Sequence, residues 1–249
     1  SPAGVGAMFE KLQQANRFND TGAFPYLRSH PLTSERIAEA RARSQHAHAG
    51  ASARSELPSP AWHALMAGRA RALGQPGADA LQGRLQEARQ LSAGAPTGQA
   101  LSVLYAAAWA AAHLRDASAA QAWLQRLRAR VGGDAQAEQA VLQLAVEQSL
   151  LLCRPAEALA RAAELPTRGR AALALRAQAQ VAAGQGAQAV DALQNWVSQQ
   201  PRDALVWQLL SQSLAQQAQH VRAVRADAEG RAAQFNYAGA VDRLKAAQD

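Results

Sequence analysis

Isoleucine occurs once in 249 residues, at Ile37, cysteine once, at Cys153, and aromatic residues make up 5% of the chain. Strands prefer β-branched and aromatic side chains, so their scarcity excludes a β-sandwich or a doubly wound sheet. A single cysteine cannot close an internal disulfide. In its leucine-rich setting Cys153 reads as a buried structural thiol, and it does not decide the redox compartment. Long apolar runs are missing too, since residues 106–114 and 150–153 fall well short of the ~20 residues that a membrane span needs. Residues 1–20 are polar and lack the apolar segment of a signal peptide.

What the chain has instead is alanine, 64 residues of it, about a quarter of the sequence. Alanine is the best helix former, so the composition specifies an all-α protein. The net charge of +7 rests almost wholly on arginine, with Lys11 and Lys245 the two lysines. A basic balance can serve nucleic acid or an anionic membrane surface. These arginines, however, are spread singly through alanine-rich segments with no basic run and no aromatic interleaving. Solvated helix faces account for them, and no nucleic-acid partner is expected.

Residues 1–50 differ from the rest, carrying Phe9, Phe18, Phe24 and Tyr26 where Phe235 is the one later phenylalanine. Spacing predicts a helix over 8–19, stopped by Asp20-Thr21-Gly22, and a second from Thr33 or Ser34 to about Gln45. Between them, Pro25 and Pro31 favour extended backbone. Residues 51–59 lie in a small-residue, Pro-bearing linker. From residue 60 to 249 the pattern is a succession of helices near 60–73, 77–92, 98–114, 117–131, 135–152, 155–163, 168–183, 187–199, 203–217, 219–234 and 237–247. The domain reading is therefore 1–50, a linker over 51–59, and a helical array over 60–249.

The array repeats itself. Leu173, Ala177 and Ala189 recur one period later as Trp207, Ser211 and Ala223, and two periods earlier as Leu104, Ala108 and Ala120. Small residues recur where helices approach closely, and large apolar ones where they interlock. The interval is that of the tetratricopeptide (TPR), a helix–turn–helix repeat of about 34 residues. Pro201, then Asp203-Ala204-Leu205-Val206-Trp207, resembles a TPR boundary, and Asn236-Tyr237-Ala238-Gly239-Ala240-Val241 resembles the opening of a second helix. Pro166 shortens one unit, and Asp227 stands where Leu193 would recur. A TPR-like helical-hairpin solenoid is expected, with a non-repeating bundle as the alternative.

The sequence has no HExxH, no CxxC pair, no GxxxxGK[ST] and no GxSxG. His46 and His48 form an HxH pair without a neighbouring carboxylate or thiol cluster. His63, His113 and His220 stand alone. No complete active site is assembled, and no metal is expected in this chain.

One stretch carries a sharper signal. Tyr26-Leu27-Arg28-Ser29-His30-Pro31, followed by Glu35-Arg36-Ile37, resembles the end of the catalytic domain of HExxH zinc metallopeptidases of family M48, which include the CAAX prenyl endopeptidases and the HtpX proteins. The resemblance runs from Phe9 to Arg43. It is closest to a bacterial periplasmic branch in which TPR repeats follow the protease domain. It implies a zinc-dependent parent, a periplasmic setting at or near a membrane, and outer-membrane-type proteins or assembly machinery as partners. It also implies that His30 lies beside the catalytic zinc, where it stabilises the oxyanion or caps the metal, and that Arg36 supports a zinc-ligand carboxylate. The zinc ligands lie upstream in the family and are absent here, so the chain is expected to be an inactive C-terminal fragment. Read alone, His30-Pro31 shapes a turn before a helix. A free-standing TPR scaffold or chaperone is the rival reading.

The apolar residues of 1–50, stripped of the protease domain, are expected to dock on the first repeats or to mediate self-association. In the array, first helices line the concave face. Counting from Leu104, Leu142, Leu173 and Trp207 places Tyr105, Trp109, Gln143, Glu147, Ala174, Gln178, Gln208 and Gln212 in a glutamine-rich, nearly uncharged groove. Tyr105 and Trp109 would anchor an extended segment there, although Trp109 packing between helices accounts for it equally well.

Overall fold

The computed structural model describes residues 3–16, 34–46, 58–74 and 77–245. Among these residues the protein is all-α: thirteen α-helices, one 3₁₀ turn and no strand. It divides into two units, residues 1–57 and 58–249.

In the first unit α1 (Ala3–Asn16) packs against α2 (Ser34–His46). Ile37 is buried, the Arg36 guanidinium lies over the Phe9 ring at 5.4 Å, and Arg41 pairs with Glu10. The first helix starts ahead of the expected Met8 and takes in Gly4 and Gly6. Gly6 is buried, and a Cβ built there would lie 3.4 Å from Arg41 Cγ. The expected stop at Asp20-Thr21-Gly22, the extended stretch 24–31, His30, His48 and most of the linker lie outside the described residues.

The second unit follows the expected helix order: α3 (Pro60–Gly74), α4 (Ala78–Arg89), α5 (Thr97–His113), α6 (Ala117–Val131), α7 (Ala135–Leu151), α8 (Pro155–Ala163), α9 (Arg170–Ala182), α10 (Val190–Gln199), α11 (Ala204–Ala215), α12 (His220–Ala233) and α13 (Tyr237–Lys245). Short connections let successive helices from α4 onward pack on one another, and α3, α5, α7, α9 and α11 also touch in succession. Helices α5, α7, α9, α11 and α13 start at Thr97, Ala135, Arg170, Ala204 and Tyr237, at nearly even intervals close to the expected repeat.

The same turn follows α5, α7, α9, α11 and α12. Arg115, Cys153, Gly184, Ala218 and Phe235 adopt left-handed backbone with φ between 55° and 72°. In each, the next N–H reaches back to a carbonyl of the preceding helix, as Asp116 does to Ala111 and Gln219 to Leu214. These bonds satisfy carbonyls that the helix end would otherwise leave orphaned. Aspartates cap α6, α7 and α11: the Asp116, Asp134 and Asp203 side chains accept from the N–H of Ala119, Ala137 and Val206. Asp203 also accepts from Nε and Nη2 of Arg170, at 2.6 and 2.8 Å, and from Trp196 Nε1 at 3.0 Å. The arginine holds its carboxyl below the usual range.

Where the expected helix 187–199 should begin, the chain makes a 3₁₀ turn at Gly186–Ala189. The cause is a close neighbour: Gln216 Oε1 accepts from Gly186 N–H at 2.9 Å, and a Cβ on Gly186 would sit 3.0 Å from Ser213 Cα.

Helix α5 is central. Every residue from Ala100 to Ala112 is buried, because its alanines let flanking helices approach from several sides. Gln148 crosses from α7 and donates to Ala108 O at 2.7 Å, an unusual polar tie through an apolar interior. The core is drawn out along the chain in three stretches, from Ala64 to Ala145, from Val146 to Ala179, and from Ala174 to Ala226.

Candidate functional site

A cleft of about 440 Å³ opens across four odd-numbered helices. Arg69 and Leu73 come from α3, Trp109 and His113 from α5, Glu147, Leu150 and Leu151 from α7, and Gln178 from α9, with Arg115 and Cys153 on two of the left-handed turns. No side chain of an even-numbered helix lines it. The helix spacing creates this arrangement, since each odd helix lies against the next odd one and offers one face to the same side.

Charge in the cleft is organised by Arg69. Its guanidinium donates to both carboxylate oxygens of Glu147, at 2.8 and 2.9 Å, and to the Tyr105 hydroxyl at 2.9 Å. A two-pronged pair of this kind fixes orientation as well as charge. Both partners are partly exposed, so the tie is less costly to desolvate than a fully buried pair. Glu147 raises the Arg69 guanidinium above its already high value. Burial pushes the Tyr105 hydroxyl up to about 12, against the opposing pull of Arg69.

Trp109 stacks on His113 with ring centroids 3.4 Å apart, and His113 Nδ1 lies 3.0 Å from Trp109 O. The pair forms a plate within the wall. Leu73 is 52% exposed and supplies the accessible apolar surface. Arg115 is exposed, and its Nη1 lies 3.8 Å from Cys153 Sγ. Among the described residues no carboxylate pairs with Arg115.

The structure brings Trp109, Glu147 and Gln178 into one cleft and places Tyr105 directly beneath it. Three corrections apply. Tyr105 is 1% exposed and Trp109 6%, so their rings are wall and core rather than free anchors. The groove is not nearly uncharged at this end, because Arg115 lines it beside the paired Arg69 and Glu147. Cys153 is exposed, because α7 ends at Leu151 and the thiol sits in the following turn. Gln143 is half-buried outside the cleft, and Ala174 is buried. Gln208 and Gln212 are exposed on α11, where the Gln208 side chain lies toward Gly230 of α12.

Sequence reasoning missed Arg69, Leu73 and Arg115. The one available signal was an arginine and a leucine one helical turn apart on the expected first helix of the array. A second, larger hollow of about 610 Å³, between α6, α7 and Pro166, has Glu138, Glu164 and Arg128 on its walls. Of the expected groove residues, it contains none.

Arg36 is exposed against Phe9 in the first unit. No group of three or more His, Cys, Asp or Glu converges among the described residues, and the sequence has no HExxH. The described residues do not make a zinc ligand set. Among the described residues no helix is long and apolar enough to cross a membrane. Compared with models of known protein families and with curated proteins, the chain matches none.

Proposed function

We propose that residues 60–249 form a TPR-like solenoid that binds extended protein segments. Residues 1–50 are then the end of a zinc metallopeptidase domain of the type that includes the β-barrel assembly-enhancing proteases. The cleft spanning α3, α5, α7 and α9 carries the binding reading, because a continuous face built from alternate helices is what a helical-hairpin repeat offers a ligand. Near-even helix starts and the recurring left-handed turn support the repeat. Tyr26–Pro31 with Glu35-Arg36-Ile37 supports the metallopeptidase. On this reading the array holds periplasmic outer-membrane-type substrates, or the machinery that assembles them, and the zinc belongs to the parent's catalytic domain.

Two measurements test the two halves. The coding frame upstream of Ser1 is expected to contain HExxH within about 200 codons, the span of one domain; its absence there leaves a free-standing scaffold. Titrating the chain with a carboxymethylated, permanently unfolded protein should give saturable binding that Leu73→Gln weakens. Because Leu73 is half in solvent, that substitution spares the fold; unchanged binding in it would reject the cleft.

A further inference from the structure

We infer that the cleft selects a peptide segment in which an apolar side chain stands next to a carboxylate. The inference rests on the peptide-binding reading and names the ligand for it.

Charge decides the polar half. Arg69 is fully engaged by Glu147 and Tyr105, so that pair contributes no free charge. His113 has one ring nitrogen committed to the Trp109 carbonyl. Arg115 remains, exposed at the rim and without a carboxylate partner among the described residues. Among the described residues the cleft therefore offers one uncompensated cation, and a ligand carboxylate can meet it without displacing an existing pair.

Shape decides the apolar half. Leu73, Leu150 and Leu151 face the same space, and Leu73 is 52% exposed. The volume of about 440 Å³ suits one or two side chains. A nucleic acid fits poorly, because base stacking needs an open aromatic face and Trp109 is already stacked on His113 at 6% exposure. A single free cation is also a poor match for a run of phosphates. An acidic–apolar peptide satisfies both halves.

Cys153 makes the test local, being the chain's single cysteine and lying exposed in the cleft wall. The probes are end-blocked hexapeptides, Gly-Ser-Leu-Asp-Gly-Ser and its Leu-Asn and Gly-Asp counterparts. They are titrated calorimetrically into the whole chain while alkylation of Cys153 by a maleimide is followed. The Leu-Asp peptide is expected to bind and to slow alkylation. The Leu-Asn and Gly-Asp peptides should each bind about tenfold more weakly, and high salt, about 0.5 M, should erase the Asp preference. Arg115→Gln should also erase that preference, with melting temperature monitored to show that the fold is intact. Equal binding of Leu-Asp and Leu-Asn, a preference that survives Arg115→Gln, or binding that leaves Cys153 unprotected would each overturn the inference while leaving peptide binding in place. Binding of none of the three, and of no unfolded protein, removes both readings.

Discussion

Arg115, Cys153, Gly184, Ala218 and Phe235 hold one backbone conformation, and Gly184 alone has no Cβ to make it costly. Left-handed backbone costs an L-residue roughly 1–2 kcal/mol, because Cβ crowds the following carbonyl. At Ala218 the surrounding bonds, Ala218 N–H to Ala215 O and Gln219 N–H to Leu214 O, hold the conformation in place. Replacing Ala218 by glycine relieves the crowding and loosens the unfolded chain, which offsets part of the gain. Ala218→Gly is therefore expected to raise stability by about 0.5–1 kcal/mol in urea unfolding. Gly184→Ala should lower it by about 1 kcal/mol. Opposite signs would mean that the turns relax when mutated. Local sequence misleads most at Cys153, where a leucine-rich neighbourhood suggests burial. Leu150 and Leu151 end a helix there, and the turn lifts the thiol clear.

At the scale of elements, glycines separate packing from propensity. Gly68 of α3 lies so close to α5 that an added Cβ would come within 2.5 Å of Ser102 O, whereas Gly83 of α4 meets nothing within 4 Å. Both stand inside helices, where alanine is intrinsically better by about 1 kcal/mol. Gly83→Ala should raise the stability by up to about 1 kcal/mol. Gly68→Ala should lower it by about 1–3 kcal/mol through overpacking. Thermal melts of the two variants suffice, and a stabilising Gly68→Ala would show that α3 slides freely on α5. The helices themselves were legible because Asp116, Asp134, Asp203, Pro155 and Gly184 mark starts and stops in local sequence. Arg69 was not, because its partners Tyr105 and Glu147 stand on other helices, far along the chain. No local pattern announces an ion pair that depends on three helices stacking side by side. The same limit hid the 3₁₀ turn at Gly186, which is set by Gln216 at the end of α11.

For the second unit as a whole, what counts is that its core comes in three stretches rather than one. Leu193 is 0% exposed and belongs to the last of them. Truncating such a leucine costs about 2–5 kcal/mol. Among the described residues α10 packs on α9 and α11, so that loss is expected to stay near its origin. Leu193→Ala should quicken amide exchange across α9 to α12 while α5 keeps its protection. Uniform quickening would instead mean that the stretches unfold together.

The same division bears on the cleft. Arg69, Leu73 and Trp109 stand on helices of the first stretch, whereas Gln178 stands on α9, which belongs to the other two. One jaw is thus carried by one core and the opposing jaw by another. The middle stretch, where Val146 of α7 meets Ala172, Leu175 and Ala179 of α9, joins the two jaws, so any change of bite is made at its expense. A bulkier guest side chain is then met by loosening packing that the two jaws share, not by a free hinge between them.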